Sequence, residues 1–544
     1  MGQHVPNASP ARMSPPPGAG EARPGRLWTP ARMRAGAALG GIIALSAGLR
    51  FARLGQPSLW SDEMFVVWLA RFEWHDLLRL VRAVDFHPPL YYLVMKAWIG
   101  VAGAGEAAIR VPSAGFGLLC VPLTYAALRR VAAEPVRLLS ALLVGVSPFQ
   151  IMAGQEARMY TLLAVLVLAG TLALTEAVAR EGAGWWLIYA ALAALTAATD
   201  YLGLLVLAAH GVWVACWERR VFVRWLAAAG GAAALYAPWL PSLWDQAIHS
   251  HGLDQIVLSH GGPSASGVIV YQIPVDLLGL FAFGGSLFGT TGYLSGGALG
   301  PAERLIVLLP FLAVLWLGAT AMASDRRTAA LLGLPPAVTI AATLAASLAK
   351  PVFLLRWFSF LVPFYAVFLA RGIVAAGERF REHGDRVSVL LAAGLLLYSL
   401  PVLDRYYLDP LSRPYQWRAA AALVKALAGP GDFFVYADGP AEQTFTYYFR
   451  DAHPSLNLDP VDGEPRGRRR DPLPAAEARR LAERFPRVWL VVNGAPTSSV
   501  TRRALPALGA AFRSGGYRDF HGVEVYLFET TPLPPTGGGS PLRR

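Results

Sequence analysis

Residues 58–89 read SLWSDEMFVVWLARFEWHDLLRLVRAVDFHPP. Two adjacent acids, Asp62 and Glu63, follow Trp60, and a second cluster of Asp85, His87, Pro88 and Pro89 closes the stretch. Trp60, Phe65, Trp68, Leu69 and Phe72 supply an apolar, aromatic side. That mixture predicts helices lying on a membrane surface rather than crossing it. On a helix, neighbouring acids diverge by about 100°, so only one of Asp62 and Glu63 can face a given pocket.

The surrounding chain supplies the membrane. Its 544 residues are 55% hydrophobic and only 15% charged, with mean hydropathy +0.42, against roughly 25% charged in soluble domains. Long apolar runs recur to about residue 404, so the expected class is a polytopic α-helical membrane protein. The net charge of +12 comes largely from arginines in short loops between apolar runs, such as Arg129 and Arg130, Arg219 and Arg220, or Arg326 and Arg327. This is a positive-inside pattern facing anionic lipid, and no nucleic-acid partner is expected. Cys120 and Cys216 both fall inside apolar runs, so neither a disulfide framework nor a zinc site can be built from them.

Placing the arginine loops on the cytoplasmic side gives about eleven spans, from 36–54 to 387–404 and including 137–152, 185–199 and 201–217. Two further apolar stretches, 89–102 and 268–290, fit that arrangement only as interfacial or re-entrant segments. Residues 1–34 are expected to be a disordered cytoplasmic tail, and 35–404 a transmembrane domain with its first outer loop at 55–106. Residues 405–544 read as an extracytoplasmic α/β domain. Helix signals there cover 414–428, 440–449, 474–485 and 500–512, and strand signals 432–436, 488–493 and 523–528.

In this arrangement the polar residues near span ends gather on the outer side. They include Asp62, Glu63, Asp85, His87, Glu106, Arg110, Glu156, Arg158, Tyr160, Asp200, Lys350 and Arg356. Each group also has a plainer reading. Asp62 and Glu63 could be a solvated pair, His87-Pro88-Pro89 a structural turn, and Arg158 a snorkelling cation. An arginine at a helix mouth is equally suited to hold a lipid-linked phosphate. His249, His251 and His260 have no metal-specific spacing, and no dedicated metal site or cofactor is expected.

Four stretches in order, SLWSDE (58–63), HPPLYYLVMKAWIGVAGAGEAAIRVPSA (87–114), GQEARMYTLL (154–163) and KPVFLLRWFSFLVPFYAVFLARG (350–372), resemble membrane glycosyltransferases of the GT-C superfamily. The nearest kind is the dolichyl-phosphate-mannose–protein mannosyltransferase-like family, with the lipid A aminoarabinose transferases as relatives. The resemblance implies a GT-C fold in the cell membrane and a polyprenyl-phosphate-linked sugar donor. It also implies an extracytoplasmic protein, lipid or glycan acceptor. It makes Asp62 the general base, with Glu63 beside it. His87, Arg158, Lys350 and Arg356 would contact the donor phosphate, and Asp85, Glu156 and Tyr160 the sugar or acceptor. Where relatives carry Lys or His before Pro-Pro-Leu-Tyr-Tyr this chain has His87, and the RY-like motif is here Arg356-Trp357. The rival function is a transporter or lipid-sugar flippase. It would place its polar groups at the bilayer midplane instead.

Overall fold

The computed structural model describes residues 30–180, 182–249, 277–279, 281–282, 301–349, 355–380, 382–409, 415–458, 473–493 and 501–530. The first half is helical throughout. Helix α1 (Pro30–Phe51) leads into three short helices, α2 (Ser61–Leu69), α3 (Trp74–Val84) and α4 (Leu90–Ala102). Then follow α5 (Glu106–Ala127), α6 (Glu134–Val146), α7 (Pro148–Gly154), α8 (Tyr160–Arg180), α9 (Ala183–Ala197), α10 (Leu202–Trp217), α11 (Phe222–Tyr236) and α12 (Leu240–His249). Beyond them lie α13 (Pro301–Met322), α14 (Arg326–Ala349), a 3-10 helix at Leu355–Leu361, α15 (Val362–Glu378) and α16 (Gly384–Leu408).

Each expected span is helical, and length and composition alone account for fewer than eleven crossings. Among the described residues six helices are long and apolar enough to cross a membrane, or seven if α6 and α7 form one bent span. Helices α9 and α10 have 15 and 16 residues, short of the roughly 20 that a perpendicular crossing needs. The stretch expected at 137–152 is broken, with α6 and α7 meeting at 56°. Pro148 causes the break because it has no N–H to continue the ladder, and Ser147 caps the new helix by accepting from the Gln150 N–H at 3.4 Å. The carbonyls released at Val144 and Gly145 accept from the buried Arg50 guanidinium at 3.0 and 2.6 Å. A charged side chain inside the bundle thereby satisfies a broken helix end. The apolar stretch 89–102 forms the separate short helix α4, while 268–290 lies almost wholly outside the described residues.

Packing within the bundle uses small residues where helices cross. Gly318 on α13 and Gly372 on α15 face each other so closely that a Cβ on either would overlap the other helix's backbone. In lipid, where apolar side chains gain little from leaving the solvent, such close backbone approach is a main source of helix association.

After α16 the chain forms α17 (Trp417–Leu427), β1 (Phe433–Tyr436), α18 (Gly439–Tyr448), β2 (Ser455–Asn457), α19 (Ala475–Arg484), β3 (Arg487–Asn493), α20 (Thr501–Ala511), β4 (Arg513–Asp519) and β5 (Val523–Glu529). The strands make one sheet in the order β2-β1-β3-β5-β4, with β1 parallel to both neighbours and β5 antiparallel to both of its own. Alternation along the central strands sends Phe434, Tyr436, Trp489 and Val491 to a core with α17 and α18. Val435, Leu490 and Val492 go to the other face, with α19 and α20. Edge strands β2 and β4 escaped the sequence reading because neither alternates. Strand β4 carries two glycines and a bulge between Ser514 and Gly516, and faces solvent along much of its length.

Ion pairs collect at both ends of the bundle. At one end Arg129, Arg130 and Arg180 all donate to Glu176, and Arg220 and Arg327 pair with Glu218. The loop arginines that the charge pattern singled out are therefore partly tied down by buried acids. At the other end lie Asp62, Asp85 and Arg158.

Candidate active site

The second polar cluster is built from the loop that follows α1. The chain leaves α1 with its last carbonyls capped: the Gln155 side-chain amide donates to Leu49, Arg50 and Ala52 at 3.3, 3.0 and 2.9 Å. Arg110 on α5 then gathers the loop, donating to the carbonyls of Leu54, Pro57 and Ser58 at 2.9, 2.9 and 3.0 Å. These contacts deliver Ser61, Asp62 and Glu63 into the first turn of α2.

The two acids diverge as helix geometry requires, and their surroundings separate their roles. Glu63 is fully buried. Its carboxylate forms a bidentate pair with Arg110 at 2.7 and 2.5 Å and accepts the Ala157 N–H at 3.0 Å. Arg110 and the Ala157 N–H engage both of its oxygens, so the carboxylate ties α2 to α5 and to the turn before α8. Asp62 keeps 27% of its side chain exposed. Its Oδ2 lies 3.2 Å from Arg356 Nη2 and 3.9 Å from Arg158 Nε.

Each arginine is itself fixed. Arg158 follows Ala157, the residue clamped by Glu63, and its carbonyl accepts from Ser113 Oγ at 3.0 Å. Its side chain is nearly buried; burial works against the charged guanidinium, and the carboxylates of Asp62 and Asp85 outweigh it. Arg356 comes from the 3-10 helix and stacks over the Trp60 ring at 5.0 Å. Tyr160 is 1% exposed, with Arg158 6.0 Å from its ring. Among the described residues its hydroxyl and Arg158 Nε have no hydrogen-bond partner. Buried donors of that kind suit an anion.

The Asp85–His87 pair stands beside this centre. His87 is 3% exposed, and its Nδ1 lies 3.1 Å from Asp85 Oδ1. A carboxylate only accepts, so Nδ1 carries the proton. Asp85 also accepts from Tyr92, and its own carbonyl accepts from Gln246 at 2.8 Å. Burial pushes the Asp85 carboxyl up, but His87, Arg158 and Tyr92 together bring it down to about 2. Asp200, which the motifs did not single out, is also buried there. Burial pushes its carboxyl up, while His87 and Arg158 oppose that shift.

Of the candidates read from sequence, Asp62, Arg158 and Arg356 converge, with Tyr160 against Arg158 and the Asp85–His87 pair close by. Glu156 is half-buried in the turn before Arg158. Lys350 lies outside the described residues, as do His251 and His260. Among the described residues no group of three or more His, Cys, Asp or Glu is arranged to hold a metal ion. Arg110 stands in the quoted IRVPSA segment, and nothing in its neighbours signals that it grips a loop about fifty positions earlier.

Residues 86–244 match the family model described as dolichyl-phosphate-mannose-protein mannosyltransferase, a segment holding His87 and Arg158 but not Asp62 or Arg356. No curated protein matches the chain by sequence. Among solved structures, the chain is similar to ArnT from Cupriavidus metallidurans bound to undecaprenyl phosphate. Identity is 15% and the TM-score 0.58, covering 90% of this chain and 98% of that one. It is also similar to the Archaeoglobus fulgidus oligosaccharyltransferase tethered with an acceptor peptide containing the NVT sequon. There identity is 12% and the TM-score 0.54, covering 92% of this chain and 75% of that one. Both are GT-C glycosyltransferases, so the fold expected from the four motifs is the one observed.

Proposed function

We propose that the chain is an inverting glycosyltransferase that moves a sugar from a polyprenyl phosphate to an extracytoplasmic acceptor. The observation that carries this reading is the meeting of Asp62 with Arg158 and Arg356 on a helical membrane scaffold. The resemblance to ArnT, whose structure holds undecaprenyl phosphate, supports the donor class.

The chemistry follows from the charges. A sugar on a phosphate already carries a good leaving group, so activation by a nucleotide is unnecessary. With no donor bound, the Asp62 carboxylate occupies the position between the two guanidiniums. An arriving phosphate competes for them, because fork-shaped arginines bind phosphate oxygens as they bind carboxylates. Asp62 Oδ2 is then free to accept the proton of the acceptor hydroxyl as its oxygen attacks the anomeric carbon. The carbon–oxygen bond to phosphate breaks on the opposite face, inverting the centre. Its electron pair leaves with the phosphate, where Arg158, Arg356 and His87 balance the charge. Glu156 and Tyr160 line the sugar or acceptor side in this reading.

We place the tail 1–34 in the cytoplasm, the transferase in 35–404 and the sheet-bearing part 405–544 outside the plasma membrane. The positions of the ionisable groups favour an enzyme over a flippase, since Asp62, Arg158 and Arg356 stand together at one end of the bundle. Purified protein incubated with a membrane extract as acceptor source and undecaprenyl-phosphate-linked mannose, glucose or arabinose, each radiolabelled, should release the sugar from at least one carrier to acceptor. Asp62→Asn should lower that release by about 10² to 10⁴-fold while leaving expression intact. Full activity in Asp62→Asn would remove the base from the scheme.

A further inference from the structure

The loop that delivers Asp62 is held from two sides, and one side belongs to the C-terminal sheet. Arg110, in the bundle, takes the carbonyls of Leu54, Pro57 and Ser58. Those between them, Gly55 and Gln56, accept from Arg418 on α17 at 3.3 and 3.0 Å. The Arg418 backbone N–H also donates to Ser58 Oγ at 3.2 Å. Carbonyls at five consecutive positions, 54 to 58, are thus shared between two arginines about 300 positions apart. The next polar group, the Leu59 N–H, donates to the Tyr448 hydroxyl of α18 at 2.7 Å.

The far ends of these side chains are anchored as well. Tyr448 donates to Glu106 at 2.6 Å, and Arg418 pairs with the same carboxylate. Tyr447 reaches the Ala104 carbonyl at 2.9 Å. Tyr415 stacks on Trp60 with ring centroids 6.3 Å apart, and Trp60 in turn carries Arg356. Only Trp60 and Ser61 separate the Tyr448 contact at Leu59 from Asp62, and in a helix-start of this kind they leave little freedom.

The geometry points to Arg418 and Tyr448 as positioning residues that set Asp62 for the transfer step, making the C-terminal sheet part of the catalytic apparatus. Neither touches the reacting atoms. Both act through the backbone of residues 55–59. This inference rests on Asp62 being the base, and it predicts a loss of turnover without a loss of carrier binding. A displacement near 1 Å costs a reaction about 10²-fold while barely affecting binding.

The test uses the full chain in detergent. Tyr448→Phe removes one hydroxyl and keeps the ring. Hydrogen exchange in a peptide covering 55–62 should accelerate at least tenfold, while exchange across β3 and β5 stays unchanged. With the carrier sugar that the wild type turns over, kcat should fall about tenfold or more with donor KM within threefold, and Arg418→Ala should behave alike. Arg418→Lys, which keeps a cation for Glu106 but not the fork, should recover only part of kcat. Arg450→Ala, on the exposed start of the segment after α18, should leave kcat unchanged.

Unaltered exchange in Tyr448→Phe, or accelerated exchange with wild-type kcat, would overturn the inference. If instead Asp62→Asn retains activity, the base assignment fails on its own. The exchange experiment then still reports whether the sheet holds the loop.

Discussion

Arg356 Nη2 lies 3.2 Å from Asp62 Oδ2 although 294 positions of chain separate the two residues. Arg158 Nε lies 3.9 Å from the same oxygen, so in the proposed reaction the carboxylate stands where the donor phosphate would. The consequence is an uncommon split between binding and turnover. Asp62→Asn should lower transfer by about 10² to 10⁴-fold, the range for a lost general base. Removing the competing charge should leave undecaprenyl phosphate bound as tightly as before, or tighter. Titrating the carrier lipid against both proteins while assaying transfer checks both halves.

Substituting the arginines should produce the reverse split. Lysine keeps the charge of Arg158 or Arg356 but loses the planar fork that grips two oxygens. Losing one charge-assisted bond should weaken carrier binding about tenfold or more in Arg158→Lys and Arg356→Lys. The assay is the same titration; equal affinity in both variants would place the phosphate elsewhere.

Glu63 and Arg110 form a buried pair with no solvent to absorb a lone charge. Glu63→Gln leaves the Arg110 guanidinium poorly compensated and should cost about 3–5 kcal/mol of stability. Thermal unfolding in detergent would show a lowered midpoint. The double change Glu63→Leu with Arg110→Met should recover neither that midpoint nor the activity, because the carbonyls of Leu54, Pro57 and Ser58 lose their donor and the Ala157 N–H its acceptor.

How much of this was legible in the sequence depended on whether a feature is local. The apolar runs, the separate helix at 89–102, the central strands and the set Asp62, Arg158 and Arg356 all come from periodicity, composition or motif order. The break at Pro148 was missed because the run 137–152 stays apolar through it, and hydropathy does not register a missing N–H. Helix geometry lets only one of Asp62 and Glu63 face a given pocket, yet nothing local to the pair shows that the partners of Glu63 are Arg110 and the Ala157 N–H. Arg110, Arg418 and Tyr448 act on backbone carbonyls and amides, which carry no side-chain signature. Nothing near Arg418 in the chain says that its partners are Gly55 and Gln56.

The crossing of α13 and α15 at Gly318 and Gly372 makes a separate claim about packing. A methyl group at either position must push the helices apart. Gly372→Leu should destabilise the bundle by more than Gly372→Ala, with both below the wild-type thermal midpoint. Gly394, around which a Cβ would meet open space, should tolerate alanine without loss.

The last expectation concerns pH, and its sign comes from Asp85. In the folded protein the carboxyl sits at about 2, below its ordinary 3.8, because His87, Arg158 and Tyr92 outweigh its burial. A depressed carboxyl contributes stability above its unfolded value and loses it as pH falls through the folded one. The contribution of about 2 kcal/mol should therefore be complete at neutral pH and disappear between pH 3.8 and about 2. Asp85→Asn removes the charge at every pH, so its deficit in thermal midpoint should be present above about pH 4. Below that it should shrink. A deficit that instead stayed unchanged on acidification below pH 3.8 would mean that it does not come from the Asp85 charge.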